Sequence, residues 1–224
     1  MVITSFKRMT DEQRRLFDLL QKDREENARI MGKPSMEGVS RSVMEKYSES
    51  AHFVYELIQN ADDAKASIAR FVLDRKGLIF AHDGDIRFSI SDPSREDSDK
   101  KSEKLGHINS ITSIGNTAKS ESKIGKFGIG FKSVFEYTNT PYIYDPPFMF
   151  RIERFVVPIL LNGIHKEYIE GETLFYFPFN KENKQPENAY KEIKERLKEL
   201  DGTLLFLNHL EKIEWKASTT STIL

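Results

Sequence analysis

The chain contains no cysteine among its 224 residues, which removes disulfides, thiolate metal sites and cysteine nucleophiles together. It has only five histidines, His52, His82, His107, His165 and His209. They are scattered without a metal-ligand spacing, so a zinc site is not expected. Charge of one sign is also missing: the net charge is -1, and neither nucleic acid nor a membrane surface is indicated as a direct partner. No apolar run approaches the length that spans a bilayer, and Met1 to Lys7 lacks the apolar stretch and cleavage site of a signal peptide. A cytoplasmic protein is the expectation.

What is present is enough for a core. Hydrophobic residues make up 38% of the chain and include 16 phenylalanines, so a folded α/β domain can be built. Apolar spacing predicts a charged helix over 10–30, capped by Thr10 or Asp11, and a more apolar helix over about 48–65. Strands are expected over 68–73, 78–82, 142–144, 149–152, 155–161, 173–179, 203–207 and around 213–215. Asp74-Arg-Lys-Gly77 reads as a hairpin turn, with glycine supplying a positive φ. The polar run 91–104 reads as a solvated loop. A short helix is expected over 105–113, and a charged helix opens at Pro186.

Two segments carry chemistry. In Glu56-Leu-Ile-Gln-Asn-Ala-Asp-Asp-Ala64, the residues Glu56, Asn60 and Asp63 recur at helical spacing and share one side of the helix. Phe53, Leu57, Ala61 and Ala64 form an apolar stripe beside them. A carboxamide oxygen suits Mg²⁺, and a carboxylate one turn away suits proton abstraction from water. A solvated polar face carries the same residue types. The second segment, Ile124-Gly-Lys-Phe-Gly-Ile-Gly-Phe-Lys-Ser133, places Gly125, Gly128 and Gly130 where bare backbone amides can approach phosphate. Lys126 and Lys132 can reach an anion or stay in solvent. A tight turn anchored by Phe127, Ile129 and Phe131 is the structural alternative. Neither a P-loop string nor a dinucleotide fingerprint occurs.

Together these segments resemble the N box and the second glycine box of GHKL ATPases, the latter most like the heat-shock chaperone form. Ala81-His-Asp-Gly-Asp-Ile86 departs from the family's D-x-G-x-G and resembles sacsin-like ATP-binding domains, as does Ile111-Thr-Ser-Ile-Gly-Asn-Thr-Ala-Lys-Ser120. The resemblance implies an α+β, two-layer α/β sandwich (the Bergerat ATP-binding fold), with helices on one face of a mixed, mostly antiparallel sheet. It implies a helical extension over 1–47, an ATP-binding domain over 48–216 with a lid at about 91–123, and a tail or linker over 217–224.

By the same resemblance Glu56 is the general base, Asn60 the Mg²⁺ ligand, and Asp63 a polar group on the ribose and adenine side. Residues Gly125, Lys126, Phe127, Gly128, Ile129, Gly130 and Phe131 hold the triphosphate. Thr173 supports the adenine-binding side chain, with Lys119 in the lid. Asp83-Gly84 contacts the base or simply forms a turn; Asp83 is preferred over His82 as the contact. The implied function is slow ATP hydrolysis with Mg²⁺ by a nucleotide-controlled switch. That switch would homodimerise with ATP and act on an effector domain or partner protein, in a chaperone-like or prokaryotic defence system. A non-hydrolysing module that senses ATP or ADP is the alternative.

Overall fold

Alternation of apolar residues builds the sheet. In β1 (Ile68–Leu73), Ala69, Phe71 and Leu73 are buried, and in β2 (Gly77–His82) every residue is buried, so both faces are covered. The computed structural model describes residues 7–38, 42, 53–113, 130–200 and 203–218. Among these, β1, β2, β3 (Tyr142–Asp145), β4 (Phe148–Glu153), β5 (Val157–Leu160), β6 (Thr173–Pro178) and β7 (Lys212–Ala217) form one open sheet. Its order is β5-β4-β3-β6-β2-β1-β7. All pairings are antiparallel except β1 with β7, which is parallel. The architecture is α+β, as expected.

Side-chain period two sorts the residues between faces. Phe71, Leu73, Leu78, Phe80, Ile143, Phe148, Phe150, Phe175 and Phe177 join the main core, beneath the helices. Ile79, Ala81, Tyr144 and Leu174 point the other way, into a smaller cluster packed by Leu161, Ile164 and Tyr168.

The helix layer includes α1 (Asp11–Met31), α2 (Phe53–Asp63), α3 (Glu96–Lys101), α4 (His107–Thr112) and α5 (Pro186–Lys198). Thr10 caps α1 with a full capping box to Gln13, which satisfies two otherwise orphaned backbone donors. Phe17 and Leu20 of α1 are fully buried, as are Val54, Leu57, Ile58 and Ala61 of α2 to within 1%. Truncating a buried phenylalanine such as Phe71 to alanine is worth about 3–5 kcal/mol.

Three expectations are corrected. The run 91–104 is not an open loop: Asp92 caps a 3-10 turn, Pro93–Arg95, that leads into α3. There, Glu96 pairs with the buried Arg24 of α1 and accepts from Asn109 at 2.9 Å. Thr203–Phe206 is a 3-10 helix, not a strand. Gly77 is not among the positive-φ residues. Glycine is required there because a Cβ would lie 2.6 Å from the Phe177 carbonyl and 2.7 Å from the Tyr176 ring. The hairpin is instead held by Asp74 Oδ1, which accepts from the Lys76 and Gly77 amides at 2.7 and 2.9 Å.

Candidate functional site

Where β2 and β6 end beneath the C-terminus of α2, the apolar row on the helix face gives way to polar residues. His82 continues the row Leu78, Phe80 and lies opposite Thr173, which begins the row Phe175, Phe177. Both are buried. They floor a cavity of about 200 Å³, walled by Asp63 and Ala64 from the end of α2 and by Ile86, Arg87, Phe88 and His107. That is below the roughly 300–1,000 Å³ of sites enclosing a whole drug-sized ligand. It suits a single ring system.

A hydrogen-bonded network fixes this floor. Asp145, the last residue of β3, is 1% exposed. Its Oδ1 accepts from Thr173 Oγ1 at 3.0 Å and from Arg87 Nη1 at 2.8 Å, and its Oδ2 from the Phe88 amide at 2.6 Å. Arg87 also donates to Thr173 Oγ1 at 3.1 Å and to the Gly171 carbonyl. A buried carboxylate paired and bonded this fully is held in a single geometry.

Of the polar stripe on α2, Asn60 is 7% exposed and its Nδ2 has no partner among the described residues. Asp63 Oδ2 is likewise buried and unpartnered. Burial first, then the neighbouring charge of Asp62, raises the Asp63 carboxyl above its ordinary pKa. Asp62 points the other way. Burial opposes its ionisation, but the Asn208, His209 and Leu210 amides outweigh that and hold its pKa below the usual value.

Glu56 faces Gly130, at the end of the glycine-rich segment. The approach is so close that a Cβ on Gly130 would fall 1.7 Å from Glu56 Oε2. Thus one helix presents Glu56 to the glycine segment and, two turns later, Asp63 to the cavity.

The remaining candidates separate. Asp83 does not line the cavity; its Oδ1 accepts from the Ser67 and Ile68 amides at 2.9 and 2.8 Å. Of the two residues weighed as the base contact, it is His82, not the preferred Asp83, whose side chain lines the cavity. Gly84 packs under α2, where a Cβ would meet the Ala64 carbonyl at 2.7 Å and leave no room. Phe131 is 1% exposed, and its ring lies 6.0 Å from that of Phe175, so its side chain belongs to the core. Lys132 reaches neither anion nor solvent. It is buried, donates to the Phe155 carbonyl at 2.7 Å, and lies 4.4 Å from the Phe155 ring centroid. Burial, then Arg24, holds its pKa well below the lysine range. Lys119, Gly125, Lys126, Phe127, Gly128 and Ile129 lie outside the described residues, as does the lid beyond 113.

Sequence reasoning missed Arg87 and Asp145. Asp145 could have been found, because period two from Ile143 puts a charged residue on the core face. No helix among the described residues is long and apolar enough to cross a membrane, and they contain no cluster of three His, Asp or Glu able to hold a metal alone.

These features define an α+β domain with a small cavity of mixed polar and apolar walls between a helix end and the sheet. The chain belongs to the Sacsin domain family, which it matches over residues 35–146, a stretch covering α2, β1, β2 and Asp145. It is 32% identical to human Sacsin over 123 residues, 49% of this chain and 2% of that protein. It is 31% identical to Protein NO VEIN of Arabidopsis thaliana over 116 residues, 49% of this chain and 4% of that one. The chain thus spans only a few hundredths of the length of these relatives.

Proposed function

We propose that this domain binds ATP with Mg²⁺, the base in the cavity and the phosphates toward Gly130, and hydrolyses it slowly. The observation that carries the reading is the contact of Glu56 with Gly130 on the helix whose next turns carry Asn60 and Asp63. The residues fit such a ligand at the base end: the cavity has ring-system size, and buried polar atoms of His82 and Asp63 lack partners among the described residues. Asn60, with its carboxamide incompletely bonded, would hold Mg²⁺ through its oxygen. The metal supplies charge neutralisation between phosphates when bound.

Glu56 takes the proton of a water positioned beside Gly130, a role worth about 10²–10⁴ in rate. Asp63, His82 and Thr173 orient the base, and the Arg87–Asp145 pair keeps Thr173 in place. Coupling of nucleotide state to homodimerisation, or to a partner or effector domain, follows as the use of such a switch.

The test measures ATP binding and phosphate release by the wild type and by Glu56→Ala. Binding by both, with release only from the wild type, supports the ATPase. Binding without release from either supports the nucleotide-sensing alternative. Absence of ATP binding to the wild type overturns both.

A further inference from the structure

The cavity floor has a chemical sense that follows from one hydrogen bond. His82 is 2% exposed, and its Nδ1 accepts the Gly84 amide proton at 3.2 Å. An accepting Nδ1 holds the lone pair, so the proton of the neutral ring is on Nε2. Nε2 is buried and has no partner among the described residues. Burial, then the charge of Arg87, lowers the His82 pKa to about 4, so at neutral pH the ring stays neutral and Nε2 is a donor only. Gly84 lies directly against this edge of the ring: a Cβ there would be 2.9 Å from Nδ1. Asp63 supplies the opposite sense, a buried Oδ2 without a donor. Both residues line the cavity, so a ligand that brings an acceptor to Nε2–H and a donor to Oδ2 satisfies both, and one that mismatches either leaves it buried and unpaired.

We propose that His82 sets the base specificity of the cavity, and that its Nε2–H admits 6-oxopurine nucleotides at least as well as adenine nucleotides. The proposal rests on the nucleotide reading above. A 6-oxopurine gives O6 to His82 and N1–H to Asp63. Adenine can satisfy the same pair through N1 and the 6-amino group, so the pair excludes neither base. A carboxylate at position 82 would instead accept from the 6-amino group of adenine and repel a 6-oxo group.

The experiment titrates the full chain with ITP, GTP and ATP, each with Mg²⁺, by calorimetry, and repeats the series with His82→Asp. The expected result is wild-type affinity for ITP equal to or above that for ATP, and a shift of about tenfold or more toward ATP in His82→Asp. Tenfold preference of the wild type for ATP, or a ratio unchanged by His82→Asp, overturns the specificity inference while leaving nucleotide binding intact. Failure of all three nucleotides to bind overturns the underlying reading instead. Should His82→Asp not fold, nitrogen-resolved NMR of the wild-type histidine rings decides: the His82 Nε2–H signal is expected to move on adding ITP. A signal that stays put while ITP binds overturns the proposal.

Discussion

Replacing Gly130 by alanine is expected to separate hydrolysis from folding. The new Cβ would fall 1.7 Å from Glu56 Oε2 and 2.5 Å from its Cδ. An ordinary contact requires the carboxylate to retreat by about 1.5 Å or more. The nearest atoms are the end of a flexible side chain, so the fold can relieve the clash by rotating Glu56, at an expected stability cost of about 1 kcal/mol. The catalytic cost is larger, because a displacement of about 1 Å in a positioned group costs about 10² in rate. Phosphate release under saturating Mg·ATP is therefore expected to fall about 100-fold in Gly130→Ala, with the urea midpoint lowered by only about 0.5 M. Wild-type turnover in the variant would refute the reasoning that Glu56 acts beside Gly130. A collapse of stability would show that the contact is structural.

Other outcomes follow from the same geometry. His82 has a folded pKa near 4 against an ordinary 6.5, so the unfolded chain takes up the proton first as pH falls. Stability contributed by the buried neutral ring is then full above about 6.5 and is lost down to about 4; urea unfolding at pH 5 should show a loss of roughly 2 kcal/mol relative to pH 7, much reduced in His82→Gln. Thr173→Val removes a donor to Asp145 and an acceptor of Arg87, and is expected to cost about 1–3 kcal/mol by chemical denaturation. Asp62→Ala strips three backbone amides of their acceptor, and a loss of about 3 kcal/mol is expected from thermal or urea melts.

The strands of the sheet were legible wherever apolar residues alternate, as in Ala69-Arg-Phe-Val-Leu73, because one face of each strand must be buried. The cap at Thr10 and the stripe on α2 were legible for the same local reason. The run 91–104 was not, since its helix is stabilised from a distance by Arg24 on Glu96, and polar composition carries no trace of that partner. Asp83 was preferred to His82 because the motif was matched by residue type, which does not give side-chain direction. Counting by two from Phe80 aims His82, rather than Asp83, toward the helices. The Arg87–Asp145–Thr173 network joins three distant parts of the chain; only Asp145 carried a local signal, as a charge on a core face.

The central claim is that a nucleotide occupies the cavity between α2 and the ends of β2 and β6. Backbone amide NMR spectra of the chain titrated with Mg·ATP test it most directly. Saturable shifts concentrated at Asp63, Gly84, Arg87, Phe88, Thr173 and Gly130 are the result the account predicts. Saturable shifts confined to the outer sheet edge at β7, or no shifts at millimolar nucleotide, would contradict it.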